Sequence, residues 1–294
     1  MANDARAALV KAGFLWCAGL STACGGGGTD SPAAAAAAAP TVTASASAAR
    51  TLTCVPNERI EVPTGALINN MWNEVSAGAQ PHSQCLQVRD VGSALEYGWA
   101  WNWPASDGIY AYPEMLVGAS PWLADASNDA RFPRTVESIR SMALSYQLLT
   151  ASTGKQAGAA DFWFTATNLV AGVDMPTPVK AELLIWTNVS AGVVNSSDVP
   201  IDVIEIDGKR WTVYMSLDHR DVSHPDDPNR WTLISYVAVE NSQASNYDAR
   251  KFFQDAIGRG VIKATDYVSG VEIGHEVISG SGSSWLRNFS LTVN

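Results

Sequence analysis

Two acidic residues set among apolar neighbours are the places where this chain could do chemistry. Ala181-Glu182-Leu183-Leu184-Ile185-Trp186 holds one carboxylate in a run that is otherwise apolar or aromatic. Gly274-His275-Glu276-Val277-Ile278-Ser279-Gly280 holds a second. The first run is short and bounded by Pro178 and Asn188, which favours a strand over a helix. Strand side chains alternate faces, so Glu182, Leu184 and Trp186 share one face and Ala181, Leu183 and Ile185 the other. A carboxylate beside an indole on a sheet face suits a sugar cleft: the ring stacks on a pyranose while the acid reaches the bond between two sugars. Hydrolysis of that bond takes two acids, one to protonate the leaving oxygen and one to attack or to activate water. About ninety positions separate Glu182 from Glu276, so the fold must bring them together.

Each choice has a plainer rival. Glu182 reads alternatively as a salt-bridged structural acid. Glu272 has the parity of Glu276, hence its face on a regular strand, and is the competing acid. His275 adjoins Glu276 but points the other way on a strand, so it receives no role. Trp163 and Trp285 read as core, and Trp72 and Trp186 as core or cleft. Asp226-Asp227, between Pro225 and Pro228, reads as a solvated loop rather than a calcium site.

The elements that must position these residues are mostly strands. Alternating or β-rich runs occur at Ala66–Trp72, Cys85–Val91, Glu96–Trp103, Ser138–Leu149, Asp161–Thr167, Lys180–Trp186, Pro200–Ile206, Arg210–Met215, Trp231–Val239, Tyr267–Glu276 and Ser284–Val293. Ile206-Asp207-Gly208-Lys209 predicts a type I′ hairpin. Many short strands at this spacing imply a sandwich or barrel. One helix is expected over Tyr247–Ile257, with Phe252, Phe253, Ala256 and Ile257 on one stripe, Asn246 capping it, and Gly258 or Gly260 ending it. It should pack on the outside of the sheets. No internal repeat or second domain is visible.

The chain has 294 residues, and its first fifty read as processing and linker. Residues 1–23 carry Arg6 and Lys11, then an apolar run from Ala12 to Leu20, which fits an export signal too short to span a membrane. Residues 24–50 are Gly-, Ala- and Ser-rich and cannot bury a core, so they should be a flexible tether. Ser21-Thr22-Ala23-Cys24 resembles a lipoprotein cleavage site and makes Cys24 a lipidation candidate, against an ordinary secreted protein. Residues 51–294 suit one all-β domain. Its two cysteines, Cys54 and Cys85, favour oxidation after export, for about 3–4 kcal/mol in the chain-entropy picture; the alternative is two buried thiols. A net charge of −10 without a basic cluster argues against nucleic acid. Ten of eleven tryptophans lie beyond the signal, more than a core needs, so some belong to a binding surface. The four histidines lack metal-ligand spacing; neither a metal nor a cofactor is implied, and a monomer is expected.

With both acid segments in view, the chain from Cys54 to Asn294 resembles glycoside hydrolase family 12, the β-jelly-roll endoglucanases and xyloglucanases. Asn69-Asn70-Met71-Trp72 followed by Gln84-Cys85 is similar to the family's Asn-Asn-Leu-Trp and nearby Cys. Trp99-Ala100-Trp101-Asn102-Trp103 resembles its Trp-rich strand, and Tyr112 its Tyr-Pro turn. Similar again are Arg134-Thr135-Val136 with Ser138-Ile139 and Ser141-Met142, Asp161-Phe162-Trp163, the Glu182 segment, Trp211-Thr212, Phe252-Phe253 and the closing Gly-His-Glu…Gly-Ser-Gly. The shared order of these pieces makes the likeness specific.

The resemblance implies an all-β fold, a two-sheet β-jelly-roll sandwich with a concave substrate cleft and one packed α-helix. It implies an endo-acting retaining hydrolase of β-1,4-glucosidic bonds, with catalytic carboxyl groups about 5–5.5 Å apart. Glu182 would be the nucleophile and Glu276 the acid/base. Asp161 would support the nucleophile by a shared proton or hydrogen bond, against a reading as an ordinary buried Asp. Asn70, Trp72, Trp186 and Tyr112 would bind substrate, and Cys54 and Cys85 would form the N-terminal disulfide. Ala181 and Leu184 depart from the usual Tyr and Met, the stretch after Trp186 lacks a Pro-Gly loop, and His219–Pro228 is longer and more charged. These changes leave both acids in place and bear on which β-glucan fits. The alternatives are strict xyloglucan specificity, a non-catalytic carbohydrate-binding sandwich, and a lipoprotein with a structural surface role.

Overall fold

A computed structural model describes residues 46–123, 125–168, 179–194, 199–220 and 229–294. The segments expected to be an export signal and most of a linker, with Cys24, lie outside these residues, as do Asp226 and Asp227.

Strands dominate, in two sheets. The smaller has the order β1 (Arg50–Thr53), β4 (Ser83–Val91), β5 (Ala94–Trp103), β17 (Gly280–Val293), β8 (Met142–Ser152), β14 (Ala244–Asp248). The larger runs β11 (Asp202–Ile206), β12 (Lys209–His219), β13 (Trp231–Ala238), β10 (Val179–Val189), β9 (Gln156–Thr165), β16 (Gly270–Val277), β6 (Glu114–Gly118), β3 (Gly65–Ile68), β2 (Arg59–Val62). Two short strands, β7 (Arg134–Thr135) and β15 (Tyr267–Val268), add on beside β9. The pair β10–β13 is parallel. Asp207 and Gly208 both take positive φ, 51° and 72°, as the expected type I′ turn between β11 and β12 requires. A disulfide joins Cys54 to Cys85.

Period-two alternation builds the core between the sheets. Ala160, Phe162 and Phe164 of β9 point inward, with Ala181, Leu183 and Ile185 of β10 and Val271, Ile273 and Val277 of β16. Trp99, Trp101, Tyr146 and Leu148 meet them from the smaller sheet. Helix α1 (Ala249–Gly258) places Phe252, Phe253 and Ala256 in the same core, with Phe253 edge-on to Phe162 and Phe164 at 5.2 Å each.

The boundaries differ from the sequence reading where pairing competes with local pattern. Tyr247 belongs to β14, paired with Leu144, and the helix starts later, capped by Asp248, whose side chain accepts from the Arg250 amide. Asp serves as well as Asn in that position. The run expected from Ser138 divides into a 3-10 turn at Val136–Ser138 and a strand from Met142. Residues 59–62 form an unforeseen strand, and β9 begins at Gln156 rather than Asp161.

Candidate active site

β9 organises the outward face of the larger sheet. Its residues Ala157, Ala159, Asp161 and Trp163 point away from the core. Opposite them on β10 stand Trp186 (facing Ala159), Leu184 (facing Asp161) and Glu182 (facing Trp163). On the other side β16 sets Gly274 against Ala159, Glu272 against Asp161 and Glu276 against Ala157. Glu114 of β6 faces Gly274. Cross-strand partners share a face, so Glu114, Asp161, Glu182, Glu272 and Glu276 form one acidic group. All five are buried, none more than 8% exposed. Gly274 is what lets this floor close: a Cβ there would lie 2.5 Å from the Pro113 carbonyl oxygen and 3.0 Å from the Tyr112 ring.

Glu182 and Glu276 stand at opposite ends of the face, with Asp161 and Glu272 between them. Burial pushes Glu276 up to about 8, with Glu182 adding to it. Burial also pushes Glu182 up to about 8, against a hydrogen bond from Trp231 that holds it down. Hydrogen bonding separates the two. Trp231 Nε1 donates to Glu182 Oε2 at 2.7 Å, whereas Glu276 Oε2 is buried with no partner. Glu272 accepts from Trp163 Nε1 at 3.0 Å, and burial raises its pKa against the hydrogen bonds of Trp163 and Ser120 that hold it down. Asp161 and Glu114 are raised well above the ordinary carboxyl range, first by burial and then by neighbouring acids. The influences that lower these pKa values come from hydrogen bonds, not from a cation.

Aromatic rings flank the acids. Tyr112, Ala159 and Leu184 pack together under the half-buried Trp72, Trp186 and Leu233. Trp186 Nε1 is buried without a partner. Tyr112 donates its hydroxyl to the Ala159 carbonyl at 3.2 Å, so its polar end belongs to the floor. Beside Glu182 a second group, Trp122, Trp163 and Trp231, meets ring to ring at 5.1–5.7 Å.

The structure thus brings Glu182, Glu276, Asp161, Trp72, Trp186 and Tyr112 onto one face. Asn70 joins them by donating Nδ2 to Glu114 Oε1 at 3.1 Å. Asp161 shares this face with Glu182 and is opposite Leu184, the next residue of that face; its Oδ1 is buried without a hydrogen-bond partner, and after burial the charge of Glu182 is what raises its pKa most. Trp163 is buried as expected, but in a small apolar cluster with Val179 and Trp231 on the outward face, where its parity with Asp161 lets Nε1 donate to Glu272. His275 points inward as expected. Its Nδ1 accepts from Trp99 Nε1 at 3.1 Å, so Nε2 carries the hydrogen towards Thr150 Oγ1 at 2.9 Å. Burial pushes its pKa down to about 3. Sequence reasoning gave no role to Glu114, Trp231 or Ser120. Glu114 carried a usable signal, since Glu114-Met115-Leu116-Val117 is again a lone acid in an apolar run.

Comparison with known proteins identifies the family of the chain. Residues 64–294 match the family model of glycosyl hydrolase family 12. Endoglucanase S of Pectobacterium parmentieri is 25% identical over 230 residues, spanning 77% of this chain and 81% of its own. A probable xyloglucan-specific endo-beta-1,4-glucanase A of Neosartorya fischeri is 22% identical, over 77% of this chain and 85% of its own. Among solved structures, a family 12 xyloglucanase from Bacillus licheniformis superposes with a TM-score of 0.69 at 22% identity, covering 84% of this chain and all of its own. Endoglucanase cel12A from Rhodothermus marinus does so at 0.65 and 23%, over 84% and 99%. The fold is the two-sheet β-jelly-roll sandwich of these structures.

Proposed function

This chain belongs to glycosyl hydrolase family 12, and we propose that it is a retaining endo-acting hydrolase of internal β-1,4-glucosidic bonds in cellulose-type β-glucans. Glu182 is its nucleophile and Glu276 its acid/base. The observation that carries the assignment is the unequal hydrogen bonding of the two acids. An acceptor-only carboxylate suits Glu182, which receives the Trp231 indole N–H. A buried oxygen with no donor suits a carboxyl that keeps its proton, and Glu276 has one. Glu272, the rival acid, is also raised in pKa by burial, but it receives the Trp163 indole N–H as Glu182 receives that of Trp231.

In the first step a Glu182 oxygen bonds to the anomeric carbon. The glycosidic bond breaks, and its oxygen leaves with the proton of Glu276. In the second step Glu276, now a carboxylate, takes a proton from water. The water oxygen bonds to the anomeric carbon, the ester to Glu182 breaks, and the configuration is retained. Asp161, its pKa raised by burial and by the charge of Glu182, resists adding a further charge to the face. Trp72 and Trp186 supply the flanking stacking surface, with Asn70 at its edge.

A second reading is a preference for xyloglucan, the substrate named for the Neosartorya relative and the Bacillus enzyme. Initial rates on xyloglucan and carboxymethylcellulose separate the two. The activity itself is tested by reducing-sugar release from soluble β-glucan. Wild type should release sugars and Glu182→Gln should not; a wild type that binds glucan without release would instead be a binding module. We also propose export with a lipid on Cys24 and a tether before the domain, supported by the residue pattern of the first fifty positions. Mass spectrometry of the mature N-terminus tests it; an unmodified peptide starting elsewhere removes it.

A further inference from the structure

We propose that Glu114 holds a proton and donates it to Glu272, and that this acid pair makes Glu114 a positioning residue that fixes Asn70 for sugar binding. Glu114 is 1% exposed on β6. Its Oε1 accepts from Asn70 Nδ2 at 3.1 Å, and its Oε2 is buried without any donor facing it. The carboxyl it interacts with is that of Glu272, its diagonal neighbour on the same face of the β6–β16 pair. Two bare carboxylates do not face each other in a dry site, so one of them carries a hydrogen. Glu272 already accepts from Trp163 Nε1 at 3.0 Å and from Ser120, and it is well served as an acceptor. Glu114 has one donor and one unserved oxygen. A proton on that oxygen satisfies both residues at once.

The surroundings press the same way. Among the described residues the titratable groups on this face are Asp161 on β9, Glu182 on β10, Glu272 and Glu276 on β16, and Tyr112 just before β6, and none of these supplies a positive charge. Burial first, and then Glu272, holds the Glu114 carboxyl well above its ordinary range. The result is a continuous chain across the floor. It runs from Asn70 to Glu114 to Glu272 to Trp163, whose ring meets Trp231 at 5.7 Å, and Trp231 holds Glu182. With Nδ2 committed to Glu114, Asn70 keeps Oδ1 for a sugar hydroxyl. That last role rests on the hydrolase reading; the proton on Glu114 does not.

Two variants and one spectrum decide it. Glu114→Gln keeps a carbonyl for Asn70 and puts a permanent N–H towards Glu272. It should melt near wild type and hold kcat and KM within about twofold, whereas Glu114→Met should raise KM about tenfold with a smaller change in kcat. The infrared difference between wild type and Glu114→Gln at neutral pH should show the C=O stretch of one protonated carboxyl. Equal losses in the Gln and Met variants, or no such band, would overturn the proposal. A wild type that released no sugar would end the hydrolase reading, while melting and the infrared band would still decide the pair.

Discussion

Trp231 Nε1 lies 2.7 Å from Glu182 Oε2, a hydrogen bond between neighbouring strands β13 and β10 that orients a buried carboxylate from outside its own strand. An indole N–H only donates, so it favours the ionised form of Glu182. Trp231→Phe keeps a ring and removes that donor. The Glu182 pKa should then rise further, and the acid limb of the kcat/KM profile should move to higher pH. A charged hydrogen bond contributes about 1.5–3 kcal/mol, so kcat/KM at the wild-type optimum should fall roughly ten- to a hundredfold. An unmoved acid limb would show that the bond does not govern ionisation.

The acid/base role can be separated from the nucleophile by changing the leaving group. Glu276→Gln should lose about 10²–10⁴-fold on polysaccharide, where the departing sugar needs a proton. It should lose far less in the first step on an aryl glycoside whose phenolate leaves unaided, and added azide should restore turnover. Glu272→Gln should show no such dependence on the leaving group. If Glu272→Gln showed it and Glu276→Gln did not, the two assignments would exchange.

Much of this site is legible in the sequence because a strand reports its faces. The alternation in Ala181–Trp186 correctly separates Glu182, Leu184 and Trp186 from the core residues Ala181, Leu183 and Ile185. The same rule turns His275 inward and Glu276 outward. Relations that depend on register are not legible. Nothing local says that Glu272 faces Asp161, that Glu114 meets Glu272, or that Trp231 reaches Glu182. Trp163 illustrates the limit: hydrophobicity marks it as core, while its parity with Asp161 places it among the acids. The helix starts later than its pattern predicts because Tyr247 pairs with Leu144 of β8, a partner that the local sequence does not reveal.

Stability should depend on pH in two opposed ways. Glu182 and Glu276 have folded pKa values near 8, above an unfolded value of about 4.3. The folded state therefore binds their protons more tightly, and their contribution, full below about pH 4, is lost as pH rises towards 8. His275 works in the other direction. Its folded pKa of about 3 lies below an unfolded value of about 6.5, so its contribution is present above that value and is lost as pH falls towards 3. The thermal midpoint should peak in the mildly acidic range. Glu276→Gln should flatten the alkaline decline and His275→Asn the acid one. A midpoint rising steadily from pH 5 to 9 in wild type would contradict the raised carboxyls.

The Cys54–Cys85 disulfide joins residues 31 positions apart, and removing it should cost about 3–4 kcal/mol by the loop-entropy argument. Cys54→Ser/Cys85→Ser should melt lower by several degrees and keep kcat, since neither cysteine belongs to the acidic face. A large loss of kcat at temperatures where the variant stays folded would mean that the bridge also shapes the site.

Covalent trapping asks the central question most directly. A fluorinated cello-oligosaccharide with a good leaving group should form the glycosyl ester and hydrolyse it slowly, so that mass spectrometry of peptides can find the sugar. The sugar is expected on Glu182, with none in Glu182→Gln. A sugar on Asp161, Glu272 or Glu276, or hydrolysis that inverts the anomeric centre and leaves no adduct, would contradict it.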